Sequence, residues 1–202
     1  MKKFACLLVF IALLLSACAP SSISTSAPVN TKAAPIQPAT TLPATAVPTS
    51  AEANMSLQLT SDAFSNGQSI PAKYSCIGKN ISPALAWTEP PAGTQSFALI
   101  VDDPDAPGRT WVHWVLFNIA ANTRSLPEDF SADSSIAVGN NSSSQASYQG
   151  PCPPSGTHRY YFKLYALDTA INLLPGATKD QLLKEMDGHI LAQAELLGTF
   201  SK

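Results

Sequence analysis

Residues 96–119 read SFALIVDDPDAPGRTWVHWVLFNI, two apolar runs on either side of a short polar turn. The runs, Ser96 to Asp102 and Trp111 to Ile119, are rich in β-branched and aromatic residues, a composition typical of strands. Pro104 and Pro107 fix φ and bias the residues before them toward extended backbone, while aspartate side chains can bind N–H groups of the same turn. The stretch therefore predicts two strands joined by a stiff turn.

The same turn brings chemically useful side chains together. Asp103 and Asp105 lie in the turn, and the period-two alternation of a strand places Trp111 and His113 on one face, at the end nearest those carboxylates. Because a stiff loop fixes the positions of its side chains, this end of the strand is a candidate site. The alternative interpretation is an exposed, acid-rich turn beside a partly buried histidine.

A second stretch has the same layout. Residues 148–162, YQGPCPPSGTHRYYF, lead from a loop rich in proline and glycine to a histidine at the head of an apolar strand. Alternation places His158, Tyr160 and Phe162 on one face of that strand. If the fold brings the two loops together, they form a small cavity with two imidazoles, carboxylates, a phenol, an indole and loop N–H groups.

The region after residue 54 has a strand-rich pattern throughout. Its roughly 148 residues are enough for one domain with its own core. Turns rich in proline and glycine separate further strand-like segments, with no helical pattern between them, at 57–60, 84–87, 136–139 and 159–168. This pattern predicts a mainly β domain over residues 55–202, with antiparallel sheets packed as a sandwich.

One helical segment is predicted near the end of the chain. Thr178 and Gln181 fit a capping box, and Gly188 and Gly198 are expected to interrupt the helix and to end it. The apolar residues at helical spacing are Leu182, Leu183, Met186, Ile190 and Leu197. We interpret this stripe as core packing, and His189 beside it as a packing or surface residue without a functional role.

The chain begins with the pattern of an exported protein. A basic start and an apolar run from Phe4 to Leu15 are typical of a signal peptide, and the run is shorter than the roughly 20 residues that span a bilayer. The segment LSAC at 15–18 resembles the lipobox of bacterial lipoproteins, in which the cysteine is acylated and becomes the mature N-terminus. We therefore expect residues 1–17 to be a leader and Cys18 to carry the lipid; an ordinary cleaved signal is the alternative.

Residues 18–54 are predicted to form a disordered tether. After the cysteine they are almost entirely Ala, Ser, Thr and Pro, with Lys32 and Glu52 the only charged residues. Such a segment buries too little apolar surface to offset its ordering entropy. Its reach, about 30 Å as a coil and about 110 Å as polyproline II, would hold a domain clear of the extracytoplasmic face of a bacterial membrane.

The charge pattern gives no support for a nucleic-acid partner. Without Lys2 and Lys3 the exported chain has 10 basic and 14 acidic groups, a net charge near −4. No basic run occurs, and the aromatic residues are not interleaved with Lys or Arg.

The two loop-and-strand stretches are similar to the paired signature of the phosphatidylethanolamine-binding proteins, in particular to their bacterial branch described as Raf kinase inhibitor-like. The matching segments are DPDAP at 103–107, WVH at 111–113, GPCPP at 150–154, HRY at 158–160, ISPAL at 81–85 and GHILAQ at 188–193. The resemblance covers about residues 56–200. Val112 stands where many eukaryotic members carry another histidine, and the link from Gly156 to His158 is shorter than theirs.

The resemblance implies an antiparallel β-sandwich with a small pocket for phosphate, phosphorylated head groups or carboxylates. The pocket residues that it implies are Asp103, Asp105, Trp111, His113, Gly150, Pro153, His158 and Tyr160. An acidic pocket accepts an anion if a carboxylate keeps an imidazole protonated. Asp103 or Asp105 is therefore expected to hold the histidine pKa above its reference of about 6.5.

Two cysteines remain in the exported domain, Cys76 and Cys152. An even pair in an oxidising compartment favours a disulfide, and two reduced, buried thiols are the alternative.

Three other functions stay open: a hydrolase that uses Cys152 or a serine with His158, a metal site, and a structural envelope protein with a vestigial pocket. The chain has no Gly-x-Ser-x-Gly elbow, and Cys152 lies between prolines rather than at a helix N-terminus. Asp103 and Asp105 are separated by a proline and lack the spacing of a metal motif. We therefore expect a binding protein rather than an enzyme, without metal or cofactor; the residues identify neither its ligand nor a protein partner.

Overall fold

The structure, a computed structural model, describes residues 56–202, and the strands of this part of the chain form two antiparallel sheets. In chain order the elements are β1 (Leu59–Thr60), a 3-10 turn (Ala72–Tyr74), β2 (Leu85–Trp87), β3 (Ser96–Asp103), β4 (Trp111–Ala120), β5 (Ser125–Leu126), β6 (Ala137–Val138), β7 (Thr157–Leu167), α1 (Lys179–Met186) and β8 (Ile190–Ser201). The smaller sheet has the order β1-β2-β5, and the larger has the order β6-β4-β3-β7-β8. The predicted mainly β, antiparallel fold with one helical segment is confirmed.

The predicted leader (1–17), the acylated Cys18 and the tether (18–54) lie outside the described residues. Within residues 56–202, no helix has the length and apolar character needed to cross a membrane.

Strand β3 forms the centre of the larger sheet, and all eight of its residues are buried. On one face, Leu99 belongs to the same apolar cluster as Trp87 of the smaller sheet. On the other face, Ile100 packs in a second cluster with Leu182 and Met186 of α1. Because both faces are covered, the strand has a nearly continuous apolar sequence instead of an alternating one. Each large apolar side chain buried in this way contributes about 1.5–3 kcal/mol.

Helix α1 begins as predicted and ends earlier. Thr178 Oγ1 accepts from the backbone N–H of Gln181, and Gln181 Oε1 accepts from the backbone N–H of Thr178 at 2.9 Å, which completes the predicted capping box. The helix ends at Met186, and Gly188 follows with φ of +79°. A positive φ is easily adopted by glycine and stops a helix, so the predicted interruption at Gly188 is confirmed.

The prediction that the helix continues through Ile190 and Leu197 is wrong, because both residues belong to β8. This strand pairs with β7 along almost its whole length, as in the pair Leu164 and Ala194. The hydrogen-bonding edge of β7 outweighs the local helical spacing. Gly198 is not a helix stop: a Cβ there would lie 2.5 Å from Cγ1 of Ile70, so glycine permits close packing beneath the strand.

Candidate functional site

A cavity of about 360 Å³ lies where the turn after β3 meets the loop before β7. Strand β3 pairs antiparallel with both β4 and β7, so that Asp103 lies opposite Trp111, and Asp102 lies opposite Tyr161. The end of β3 therefore lies beside the starts of its two neighbours, β4 and β7, at the same end of the sheet. This arrangement brings the two sequence stretches together. The cavity is lined by Asp103, Ala106, Pro107, Trp111, His113, Gln149, Gly150, Cys152, Pro153, Pro154 and His158.

His158 is held by a buried carboxylate. Its Nδ1 lies 2.7 Å from Oδ2 of Asp103, whose Oδ1 accepts from the backbone N–H of Asp105 at 2.8 Å. His158 and Asp103 are both buried. Because the carboxylate accepts, Nδ1 carries a proton. Nε2 forms no hydrogen bond with the residues that the structure describes, so it is the nitrogen left for a ligand.

His113 meets a carbonyl instead of a carboxylate. Its Nδ1 lies 2.7 Å from the backbone oxygen of Gln149, which can only accept, so Nδ1 carries the proton. Its Nε2 is buried and has no hydrogen-bond partner among residues 56–202. Burial lowers the pKa of His113, although the Gln149 carbonyl and the charge of Asp103 act in the opposite direction. The expectation that a carboxylate holds the histidine pKa above its reference value is therefore wrong for His113, because the effect of burial is larger, and its Nε2 is a hydrogen-bond acceptor.

Tyr160 lies beside His113 and is not among the residues that line the cavity. The two rings meet edge to face, with centroids 5.2 Å apart and planes at 74°. The Tyr160 hydroxyl is buried, and no described residue gives it a hydrogen bond of good geometry. Burial, followed by the charge of Asp103, raises the pKa of Tyr160, so the hydroxyl keeps its proton.

Asp105 lies outside the cavity lining, although the resemblance places it in the pocket. Its Oδ1 accepts from Nη2 of Arg159 at 2.7 Å, and its Oδ2 accepts from Nε and from the backbone N–H of the same residue, each at 2.9 Å. These hydrogen bonds lower the pKa of Asp105 to about 2. Asp105 therefore joins the turn after β3 to the start of β7.

Gly150 is required by close packing of the cavity loop. A Cβ at this position would lie 2.2 Å from the carbonyl oxygen of Tyr74 and 2.9 Å from Cα of Ser75. Its N–H donates to Oδ1 of Asn80 at 2.8 Å. Any side chain at residue 150 would push the loop away from its support. Because Asn80 already accepts this N–H, Gly150 contributes to the site mainly through loop position.

A disulfide joins the cavity loop to the segment after the 3-10 turn. Cys76 and Cys152 have their sulfurs 2.07 Å apart and are separated by 76 residues. Cys152 lines the cavity, so the bridge forms part of its wall.

Sequence reasoning missed Gln149 and Asn80. Besides its bond to His113, Gln149 accepts through Oε1 from Nε1 of Trp111 at 3.3 Å and from the hydroxyl of Ser143 at 3.0 Å. Neither residue has a chemical signal of its own in the sequence; the only pointer to Gln149 is its position beside Gly150.

The cavity has few charged groups. Asp103 is the only carboxylate in the lining, and no lysine or arginine occurs among those residues. The nearby cation Arg159 is engaged by Asp105, and Arg109 lies over the ring of Trp111, 5.5 Å from its centroid. Residues 56–202 contain no cluster of three His, Cys, Asp or Glu side chains that could hold a metal ion.

Comparisons with known proteins agree with this architecture. Residues 60–201 match the family model described as phosphatidylethanolamine-binding protein. A UPF0098 protein of Methanothermobacter thermautotrophicus is 46% identical over 151 residues, which cover 72% of this chain and 99% of the relative.

Two crystal structures have the same fold. CT736 of Chlamydia trachomatis, described as a phosphatidylethanolamine-binding protein homologue, gives a TM-score of 0.69 at 45% identity, covering 73% of this chain and 98% of the other. YbcL of Escherichia coli is described as a new member of the mammalian phosphatidylethanolamine-binding protein family. It gives a TM-score of 0.68 at 32% identity, covering 72% of this chain and 98% of the other. The chain therefore belongs to the phosphatidylethanolamine-binding protein family.

Proposed function

We propose that the domain reversibly binds a small oxyanion in this cavity: a phosphate monoester, a phosphorylated head group or a carboxylate. The observation that carries the proposal is the geometry of His158. Its Nδ1 is fixed 2.7 Å from the buried Asp103 carboxylate, and its Nε2 is free to meet a ligand. Membership of a ligand-binding family supports the same conclusion.

The imidazole of His158 supplies the positive charge that the lining otherwise lacks. As an imidazolium, His158 donates through both ring nitrogens, with Nδ1 donating to the Asp103 carboxylate and Nε2 to the anion. The site is held in place before a ligand arrives by the rigid ring of Pro153 and by the hydrogen bond between His158 and Asp103. Little conformational entropy is therefore lost on binding.

Binding without catalysis is part of the proposal. The sulfur of Cys152 is bonded to Cys76, so it is not available as a nucleophile in the bridged protein. No serine lines the cavity among the residues that the structure places there. Both observations count against the hydrolase alternative and support a reversible ligand.

Calorimetric titration with phosphate, phosphorylethanolamine and acetate at several pH values tests this function. Binding is expected to weaken as the pH rises, because only a protonated imidazole has a donor on both ring nitrogens. The His158→Ala variant removes a charged hydrogen bond worth about 1.5–3 kcal/mol, so we expect a loss of about tenfold to a hundredfold in affinity.

The chain offers a matched control in His189. Its Nδ1 lies 2.8 Å from Oδ1 of Asp168, so it forms the same kind of pair as His158, but at the exposed surface. The His189→Ala variant should keep the wild-type affinity. If His158→Ala binds as tightly as His189→Ala, the proposed site is wrong.

We further propose that the mature chain is lipid-anchored through Cys18 to the extracytoplasmic face of a bacterial membrane. The support is the leader pattern, the lipobox-like LSAC at 15–18 and the Ala/Ser/Thr/Pro-rich segment that follows. Membrane fractionation of the wild type and a Cys18→Ser variant tests the anchor.

A further inference from the structure

A second histidine, His113, lines the cavity, and its ring supplies a hydrogen-bond acceptor. Nε2 of the neutral His113 ring carries a lone pair, whereas both carboxylate oxygens of Asp103 already accept, one from His158 and one from the backbone N–H of Asp105. His113 is only 4% exposed, and its Nε2 lacks a partner among the residues that the structure describes. A buried acceptor without a donor is costly, so this atom favours a ligand that supplies one.

A fully ionised oxyanion cannot supply that donor. Its oxygens carry only lone pairs and would meet the acceptors of Asp103 and His113 with repulsion. A singly protonated oxyanion has one O–H for Nε2 of His113, while its remaining oxygens can accept from His158. Such a ligand matches both histidines.

Resting on the proposed binding function, we infer that the cavity selects a singly protonated oxyanion, such as the monoanion of a phosphate monoester, and that Nε2 of His113 accepts its O–H hydrogen. His113 is thereby a specificity-determining residue, and His158 binds the negative charge. The domain would discriminate among anions of the same size and charge by whether they carry a proton.

The surroundings keep His113 in its acceptor form. The charged groups that act on His113 are the carboxylates of Asp103 and Asp102 at the end of β3. Asp102 is already paired with Lys163 and Lys179. The other facing groups are Tyr160 of β7 and the backbone of Gln149 and Gly150. The carbonyl of Gln149 fixes the proton on Nδ1. Burial outweighs the carboxylates and favours the neutral ring.

Methylphosphonate and methanesulfonate give a direct test with the full domain. Both are tetrahedral and singly charged at about pH 5.5, below the second pKa of about 6 typical of phosphoryl groups, but only methylphosphonate carries an O–H. We expect the wild type to bind methylphosphonate about tenfold to a hundredfold more tightly, the effect of one satisfied buried acceptor. In His113→Phe, which keeps a planar ring and lacks Nε2, this preference should disappear.

The nitrogen-15 chemical shift of His113 Nε2 in the wild type provides a second measurement that does not require a folded variant. It should change on addition of methylphosphonate and much less with methanesulfonate. Equal affinity for the two anions overturns the inference and leaves oxyanion binding intact. A preference that survives in His113→Phe overturns it as well, whereas failure of both anions to bind overturns the proposed function itself.

Discussion

His113 and His158 line one cavity, but they differ in the atom that each Nδ1 meets. His158 faces the Asp103 carboxylate, whereas His113 faces the Gln149 carbonyl and is buried in a way that lowers its pKa. A group whose pKa is lower in the folded state than in the unfolded chain binds fewer protons when folded. Stability from neutral His113 is therefore present above the unfolded pKa of about 6.5 and is lost as the pH falls below it.

Acidification should consequently destabilise the wild type more than His113→Phe. We expect the melting temperature of the wild type to fall between about pH 7 and pH 5, with a smaller fall in the variant. Only the wild type has an imidazole at residue 113 that binds a proton more readily in the unfolded chain than in the folded one. Thermal unfolding followed by circular dichroism measures how the melting temperature of each protein changes with pH. Parallel curves of melting temperature against pH for the wild type and His113→Phe would contradict the assignment.

For individual residues, the sequence predicts most of those that line the cavity, but not the hydrogen-bond partner of each side-chain atom. The sequence places His113 and His158 each at the head of a strand that follows a Pro-rich loop, and the two meet only if the fold brings those loops together. The groups that set their chemistry lie 36 and 55 residues away in the chain, which no local pattern reveals. Asp105 shows the same limit, because its capture by Arg159 depends on how two strands align.

Among the elements, the loop that carries Gly150 depends on the segment that follows the 3-10 turn. Besides the close approach to Tyr74, the disulfide between Cys76 and Cys152 joins these two pieces across a separation of 76 residues. A bridge that closes a loop of this size restricts the unfolded chain and should contribute about 4 kcal/mol on the chain-entropy model.

We expect the double variant Cys76→Ser, Cys152→Ser to lose about that much of its free energy of unfolding, measured by denaturant titration. Its oxyanion affinity should fall too, because Cys152 forms part of the cavity wall. Wild type treated with reductant is the matched control and should unfold at the same midpoint as the variant. Equal midpoints for oxidised and reduced wild type would show that the bridge adds no stability.

The C-terminal region shows how far the sequence predicts individual elements. The capping box at Thr178 gives the start of α1 correctly, because its hydrogen bonds are local. The end of the helix and all of β8 depend on the free edge of β7, whose residues are about 30 positions away in the chain. Leu197 therefore fits a helical stripe in sequence and a strand in the fold.

For the molecule as a whole, the predicted lipid anchor can be tested by comparing the membrane and soluble fractions of the wild type and of Cys18→Ser. The wild type should sediment with membranes, and Cys18→Ser should appear in the soluble fraction, because the substitution removes the only thiol placed for acylation. Cys6→Ser, which changes a cysteine inside the leader, is the matched control and should stay with membranes. A soluble wild type whose N-terminus is free and lies elsewhere would contradict the anchor.

The fold of the whole domain is predictable from sequence to the level of class and family. The motif segments are spread across the domain, and the family they indicate is the one that the comparisons show. The order of strands is not predictable in the same way, because β3 lies between β4, its neighbour in sequence, and β7, which begins more than 50 residues later. Pairings of that kind are decided by packing over long separations.

Strand β3 ends in two buried carboxylates that point to opposite faces of the sheet. Asp103 is paired with His158, and Asp102 is paired with Lys163 and Lys179. A slip of β3 by one residue would exchange the two faces and separate both carboxylates from their partners at once. During folding, a misaligned sheet would thus bury two uncompensated charges, so these aspartates select the correct register before the cavity has any ligand to bind.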